Sequence, residues 1–116
     1  MGVTKPIHAL PKAKGYLIVH GGPNDGAMLR LRSKELIIGS DPKKADLALD
    51  DKSVSGEHIS IRPDSDTFTI TDMASRNGTL VNGKSVHDVH LNDGDVIKIG
   101  HTILVYKYIP SHAGHA

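Results

Sequence analysis

The stretch SRNGTLVNGKS, Ser75–Ser85, has two interpretations that lead to different folds. From Gly78 onward it matches the phosphate-binding pattern G-x-x-x-x-G-K-[ST], in which a Gly-rich turn joins a buried strand to a helix. Alternatively, Thr79–Val81 is a short strand of the core. Asn82-Gly83 would then form a type I′ turn, because both residues tolerate the positive φ angles that this turn requires. The neighbouring sequence decides between the two interpretations.

The residues on either side of the stretch favour the strand and the turn. The segment before Gly78, DMASRN, is not an apolar strand. The segment after Ser85, VHDVHLNDGD, has β-branched residues and turn formers where a helix would have to begin. A nucleotide-binding loop needs that helix, because the N-terminal end of the helix faces the phosphate. We therefore expect that this chain is not a nucleotidase.

Short apolar or alternating segments recur along the chain, each bounded by Gly, Pro, Asn or Asp. They are YLIVH, AMLRLR, ELIIG, DLALD, EHISIRP, TFTITD, GTLVNG, DVIKIG and TILVYKY. In TFTIT, Phe68 and Ile70 share one face and the threonines share the other, which is the period of a strand. No window of about a dozen residues holds a helical apolar stripe. The pattern predicts an all-β sandwich or barrel.

Size and composition limit the classes of protein to consider. A chain of 116 residues suits one domain, which the sequence places at 15–109 between an N-terminal tail, 1–14, and a C-terminal tail, 110–116. A net charge of +1, with one Phe and three Tyr as the only aromatic residues, offers little to nucleic acid. No apolar run approaches the roughly 20 residues that cross a bilayer. With no cysteine and no signal peptide, we expect a cytoplasmic domain without membrane contact.

Four motifs occur in the order and spacing of a known family. They are Gly39-Ser40, Ser55-Gly56-Glu57-His58, Ser75-Arg76-Asn77-Gly78-Thr79 and Val81-Asn82-Gly83. Residues 15–109 therefore resemble a forkhead-associated (FHA) domain, a protein-interaction module that binds phosphothreonine. The resemblance implies an all-β, FHA-type β-sandwich of two sheets, with about eleven strands and ligand loops at one edge. It implies no cofactor.

The resemblance places a phosphopeptide-binding site on three loops. The residues expected to contact the ligand are Ser40, Ser55, Gly56, Arg76 and Asn77. A phosphate group carries nearly two negative charges and needs several converging donors. Ser55 would supply a hydroxyl, Gly56 a backbone amide and Arg76 a guanidinium fork. In the family, the Asn at the position of Asn77 also binds the peptide backbone, so Asn77 would orient the ligand.

A second group of matching residues is expected to support the site without touching the ligand. It consists of Gly39, His58, Gly78, Thr79 and Asn82. Gly39 and Gly78 are expected to adopt backbone conformations that a side chain would forbid. In the family, the His at the position of His58 braces the binding loops by hydrogen bonds.

Two sharper interpretations of the histidines are weak. The first makes Ser55 and His58 a catalytic pair. Three residues apart on a strand, however, they would project to opposite faces, and no acid partner is evident. The other histidines are scattered without a ligand cluster; His87 and His90, which are close in sequence, flank a predicted turn. We expect neither an enzyme nor a metal site.

Ser40 stands where the family has the arginine that grips the phosphate. Losing a charge-assisted hydrogen bond costs about 1.5 to 3 kcal/mol, or roughly ten- to hundredfold in affinity. Arg76 is one candidate to compensate, together with nearby lysines: Lys43, Lys44 and Lys52. Two functions therefore stay open. The domain binds phosphothreonine in signalling, or it is a phosphorylation-independent assembly module with a degraded phosphate pocket.

The expected partner of the first function is a phosphothreonine-bearing protein. It would be a kinase substrate or the chain itself, since Thr4 in the N-terminal tail is a candidate for phosphorylation.

Overall fold

The computed structural model describes residues 14–110, so Thr4 and most of both predicted tails lie outside the described residues. Eleven β-strands form within that range, as the resemblance implied. They are β1 (Lys14–His20), β2 (Met28–Arg30), β3 (Leu36–Gly39), β4 (Leu47–Ala48), β5 (Ile59–Asp64), β6 (Thr67–Asp72), β7 (Thr79–Val81), β8 (Lys84–Val86), β9 (Asp88–His90), β10 (Val96–Ile99) and β11 (Thr102–Ile109). Residues 14–110 hold no helix with the length and hydrophobicity of a membrane span.

The strands form two sheets, which confirms the predicted sandwich. The six-stranded sheet has the order β2-β1-β11-β10-β7-β8, and the five-stranded sheet has the order β4-β3-β5-β6-β9. Among the described strands, β3 and β4 pair in parallel. The other registered pairs are antiparallel. Each of the eleven strands therefore has at least one hydrogen-bonded neighbouring strand.

The core lies between the sheets and is built from alternate residues of the strands. In β1, Leu17 and Val19 face inward and are almost fully buried, while their neighbours are more exposed. On the five-stranded sheet, Ile38 and Ile70 also face inward and are fully buried. Tyr106 is fully buried and meets the ring of Phe68 edge to face, with centroids 6.4 Å apart. Burying each large apolar side chain contributes roughly 1.5 to 3 kcal/mol, which is the main force that holds the two layers together.

The turn after β7 settles the meaning of the phosphate-loop pattern. Asn82 and Gly83 have φ angles of 52° and 83°, as a type I′ turn requires, and Val81 pairs directly with Lys84 across it. The lysine and serine of the pattern therefore begin β8 instead of a helix. The predicted hairpin is confirmed.

One face of β6 differs from the simple alternation. Phe68 and Ile70 are buried as predicted, but Thr69, which was assigned to the outer face, is only 3% exposed. Its hydroxyl donates to a carboxylate oxygen of Asp64 at 3.1 Å and lies 3.3 Å from Nδ1 of His90. Thr69 is covered because long polar side chains from β5 and β9 meet over it.

Candidate functional site

Three loops meet at one end of the sandwich, which we call the loop end. They connect β3 to β4 (40–46), β4 to β5 (49–58) and β6 to β7 (73–78). The N–H of Ser40 donates to the carbonyl of Ser55 at 3.0 Å, and the N–H of Asp41 donates to the carbonyl of Gly56 at 3.2 Å. The first loop is therefore held against the second by consecutive backbone hydrogen bonds.

Gly39 allows this close approach because it has no side chain. A Cβ atom at Gly39 would lie 1.9 Å from the carbonyl oxygen of Gly56 and 2.9 Å from that of Ser55. The expectation of an unusual backbone conformation is wrong for Gly39, which is not among the residues with positive φ; lack of space is the reason for glycine there. Gly78 has a φ of 80°, so at that position the conformation itself favours glycine.

His58 joins the second loop to the third. Its side chain is fully buried. Nδ1 accepts a hydrogen bond from the N–H of Ser55 at 3.0 Å, so Nε2 carries the ring proton and donates it to the carbonyl of Gly78 at 2.8 Å. Both ring nitrogens therefore bind backbone groups of the binding loops, which is the arrangement that the resemblance implied.

The prediction that Ser55 and His58 project to opposite faces of a strand is wrong. Both residues precede β5, which begins at Ile59, so they lie in a loop that brings them together rather than on opposite faces of a strand. The imidazole is unsuited to act as a base for another reason. Its accepting nitrogen is already occupied by the Ser55 N–H.

Asp72, the last residue of β6, closes the third loop. Its carboxylate accepts hydrogen bonds from the hydroxyl and N–H of Ser75, at 2.6 and 3.0 Å, and from the hydroxyl of Thr79 at 2.7 Å. Burial raises the pKa of Asp72, but these hydrogen bonds outweigh burial, so the pKa lies below its usual value. The Ser75 hydroxyl also accepts from the N–H of Gly78 at 2.9 Å. One ionised carboxylate thus holds the middle of the loop at Ser75 and the start of β7 at Thr79.

Asp51 plays a similar part in the second loop. Its carboxylate accepts from the N–H and hydroxyl of Ser53, from the N–H of His101 at 2.9 Å and from the hydroxyl of Thr102 at 2.7 Å. Burial acts to raise the pKa of Asp51, but these bonds hold it well below its usual range. The second loop is therefore attached to the turn between β10 and β11.

Ser55, Arg76 and Asn77 lie together at the loop end. The Ser55 hydroxyl oxygen accepts from the N–H of Arg76 at 3.1 Å, which leaves its proton to donate elsewhere. The guanidinium of Arg76 donates to the carbonyl of Lys52 at 3.2 Å, and the side-chain amide of Asn77 donates to the carbonyl of Ser53 at 2.8 Å. Arg76 and Asn77 are exposed, and Ser55 is half-buried. The rim therefore presents a hydroxyl, a guanidinium and an amide from two separate loops.

Two predicted site residues are placed differently from the expectation. The hydroxyl of Ser40 donates to the carbonyl of Val54 at 2.8 Å, so its proton braces the first two loops and is not directed at a ligand. Asn82 lies at the opposite end of β7, where its amide donates to Asp95 and accepts from the N–H of Val96. The expectation that Asn82 supports the site is wrong, because a three-residue strand separates it from the loop end.

The carboxylates that organise the loops were missed. Asp51 and Asp72 stand two and three residues before a serine, and an aspartate at such a spacing commonly bonds the backbone of its own turn. That local signal could have identified both residues. Their bonds to Thr102 and Thr79 could not be foreseen without the pairing of the strands.

The histidines also differ from the expectation in one detail. His87 and His90 do not flank a turn, because Asp88–His90 is itself the strand β9. Within residues 14–110, no group of three or more His, Cys, Asp or Glu side chains is arranged to hold a metal ion.

Comparison with known proteins identifies the family. The family model described as "Inner membrane component of T3SS, cytoplasmic domain" (Yop-YscD_cpl) matches residues 18–108. A solved structure from a structural and functional analysis of phosphothreonine-dependent FHA domain interactions superimposes with a TM-score of 0.78 at 35% identity, covering 84% of this chain and 98% of the other. The chain belongs to that family and, more broadly, to the FHA domains.

This FHA domain is also similar to two bacterial regulators. It is 35% identical, over 86% of its length, to an oxoglutarate dehydrogenase inhibitor of Corynebacterium jeikeium, and it covers 69% of that protein. It is 34% identical, over 90% of its length, to the glycogen accumulation regulator GarA of Mycolicibacterium smegmatis, and it covers 66% of that protein. The chain therefore spans about two thirds of the length of these relatives.

Proposed function

We propose that this FHA domain binds phosphothreonine in a partner protein at the loop end. The observation that carries the proposal is the convergence of the Ser55 hydroxyl, the Arg76 guanidinium and the Asn77 amide on one rim. A phosphate dianion is held well by donors that come from separate, fixed positions, because their geometry need not be assembled during binding. In this proposal, Ser55 and Arg76 bind the phosphate and Asn77 orients the peptide.

The bracing of the loops supports the same function. His58 and Asp72 fix the third loop, and Asp51 fixes the second, so the donors are positioned before a ligand arrives. Gly56 is half-buried between Gly39 and the rim, and we assign its N–H as a further donor to the phosphate. Phosphothreonine-dependent interaction of a solved FHA domain with 35% identity is consistent with this assignment.

The proposal also covers the binding partner and the cellular location. The domain would act as a non-catalytic interaction module in signalling, in the cytoplasm, on a kinase substrate or on a phosphorylated threonine of its own chain. The domain would comprise residues 15–109. Regulatory and inhibitory relatives that share the fold are consistent with an adaptor of this kind.

One observation favours a second candidate function. The family arginine is replaced by Ser40, and the Ser40 proton is donated to Val54, so the first loop directs no side-chain cation at the rim from that position. Without that cation, the preference for phosphate over an uncharged surface is smaller. The second candidate is therefore phosphorylation-independent binding of a protein at the same loops.

Peptide titration separates the two candidates. A phosphothreonine peptide library, which includes the sequence around Thr4, is titrated against the full chain beside the same peptides without phosphate. Phosphothreonine recognition predicts at least about tenfold tighter binding of the phosphorylated peptides, from one charge-assisted hydrogen bond alone. Equal affinities would favour the second candidate.

Variants of the rim test the geometry. Arg76→Gln, which keeps a polar side chain but removes the charge, is expected to weaken phosphopeptide binding about tenfold or more. Ser55→Ala is expected to weaken it less, because a neutral donor is lost. Lys34→Gln removes an exposed charge outside the three loops and serves as the matched control. Unchanged binding of Arg76→Gln would remove Arg76 from the site.

A further inference from the structure

The outward face of the six-stranded sheet carries a row of apolar side chains. Met28, Ile18, Val105 and Val96 lie directly opposite one another on β2, β1, β11 and β10. Met28 is 58% exposed and Val96 is 40% exposed, while the two between them are half-buried. We call these four residues the outer row. Contiguous apolar side chains on the outer face of a sheet are a candidate contact surface.

The charged side chains that the strands carry beside the outer row are positive, and one of them, Lys107, is already paired with Asp93, which follows β9, with Nζ 3.6 Å from a carboxylate oxygen. On one side, Tyr16 lies between Arg30 and Lys107; on the other, Ile103 pairs with Lys98. The outward positions of the described strands in this sheet contain no Asp or Glu. Their residues are Lys14, Tyr16, Ile18, His20, Met28, Arg30, Leu80, Ser85, Val96, Lys98, Ile103, Val105, Lys107 and Ile109.

The backbone of this face limits what can cover it. The strands β2, β1, β11 and β10 are already paired with one another, so the face offers side chains and no free ladder of backbone groups. An occupant must therefore satisfy its own backbone hydrogen bonds, as a helix or another sheet does. A second copy of this chain would bring the same cations against Arg30 and Lys98, and like charges oppose that contact.

We propose that the outer row docks an acidic amphipathic helix of a partner protein, without any need for phosphorylation. The row crosses four adjacent strands and is about 14 Å long, which matches roughly nine residues of a helix that lies along it. Glu or Asp on both sides of the apolar stripe of that helix would meet Arg30 and Lys98.

The site leaves the loop end free. Val96 stands three residues before Ile99, which pairs with Thr79 next to the third loop, so roughly 10 Å of strand separates the outer row from that loop. A partner helix and a phosphopeptide could therefore be bound at the same time, and the FHA domain would join two proteins. The proposal does not depend on phosphothreonine recognition.

The first test is selection from a displayed library of single amphipathic helices with randomised flanks around a fixed apolar stripe. The full 116-residue chain is the target. Selected helices are expected to be rich in Asp and Glu, and NMR shifts on adding a selected peptide are expected at the outer row. Enrichment of neutral or basic helices, a failure to select any helix, or shifts centred on Ser55 and Arg76 would overturn the proposal.

The second test uses charge reversal on the surface. Arg30→Glu combined with Lys98→Glu is expected to weaken the selected helix about tenfold, while Lys34→Glu, off this face, leaves the affinity within about twofold. Met28→Ser with Val96→Ser removes apolar contact at two exposed positions and is expected to weaken it similarly. Phosphopeptide affinity stays unchanged in all three variants. Equal loss in Lys34→Glu would overturn the proposal.

Other occupants give distinct results. Binding of the chain to vesicles of phosphatidylglycerol, in the absence of any acidic helix binder, would mean that the face contacts anionic lipid. Concentration-dependent dimerisation that Val96→Ser abolishes would mean that it contacts a second copy. Either result overturns the proposal, whereas a monomer that binds acidic helices and ignores such vesicles supports it.

Discussion

The two ends of the sandwich close their loops by different means. At the loop end, long loops depend on buried polar groups that reach distant elements: His58 to Gly78, and Asp51 to Thr102. At the opposite end, the turn between β7 and β8 is set by the φ angles of Asn82-Gly83. A rim that presents donors on long loops needs long-range bracing, because loop length costs conformational entropy that local contacts cannot offset. A rim that only reverses the chain needs the right backbone conformation.

The largest expected effect separates the two kinds of glycine at these ends. Gly39→Ala would place Cβ 1.9 Å from the Gly56 carbonyl oxygen, so the backbone of the second loop must move, and we expect a loss of roughly 3 kcal/mol of folding stability. Gly83→Ala meets no atom within 4 Å and has only its φ of 83° to overcome, so we expect about 1 kcal/mol. Denaturant unfolding measures both. Equal losses would contradict the distinction between space and conformation.

The second effect concerns the ionised carboxylates of the loop end. The folded-state pKa of Asp72 is depressed, so its contribution is present above the unfolded-state pKa of about 3.9 and is lost as pH falls through the folded-state pKa. Asp72→Asn is expected to cost about 2 kcal/mol at pH 7 and to reduce the fall in stability between pH 5 and pH 2. Chemical unfolding at several pH values checks both expectations.

A matched control accompanies this prediction. Asp88→Asn changes a half-exposed carboxylate paired with Arg62 and is expected to alter stability by under about 0.5 kcal/mol. A variant of Asp72 with the pH dependence of the unmodified chain would show that this carboxylate does not organise the third loop.

The third effect tests the missing cation of the first loop. Ser40→Arg gives up the hydrogen bond to Val54 and adds a guanidinium, and we expect phosphopeptides to bind about tenfold tighter, or roughly 1.4 kcal/mol. Ser40→Lys is expected to gain less, because it lacks the rigid fork. Isothermal titration of phosphorylated and unphosphorylated peptides measures the gain. Tighter binding of both peptide forms would argue against a phosphate contact at this position.

The smallest expected effect on binding lies at the opposite end. Asn82→Ala removes the amide that joins the hairpin turn to Asp95 and Val96 and leaves alanine at a φ of 52°, so it is expected to lower stability by about 2 kcal/mol. Phosphopeptide affinity is expected to stay within about twofold, since the hydrogen bonds of Asn82 go to Asp95 and Val96, which lie outside the three loops. A clear loss of affinity, with the fold intact, would restore Asn82 to the support of the site.

Much of the fold could be predicted because its signals are local. Alternation in TFTIT, turn chemistry in Asn82-Gly83 and the order of four motifs each depend on residues close in sequence. They gave the all-β sandwich, the hairpin in place of a phosphate loop, and the loops that carry Ser55, Arg76 and Asn77. The role of these residues at a ligand stays a prediction.

The errors share one cause. The predictions from the sequence placed Ser55 and His58 on a strand, attributed the glycine at position 39 to its φ angle, and assigned Asn82 to the support of the site. Each depends on where the chain lies relative to segments remote in sequence, such as Gly56 beside Gly39. Local patterns carry no information about that separation in space.

The sequence by itself determined most of the strands and turns, although not β9, and which donors stand on which loops, since backbone preference and apolar periodicity act over a few residues. The tertiary structure alone decided which groups remain free to bind. The Ser55 hydroxyl oxygen accepts a hydrogen bond from the Arg76 N–H, 21 residues away in sequence, and Asp51 accepts one from Thr102, 51 residues away. The Ser40 hydroxyl donates its proton to the carbonyl of Val54. These pairings follow from the packing of two sheets, because only the completed sandwich brings such distant loops within hydrogen-bonding distance.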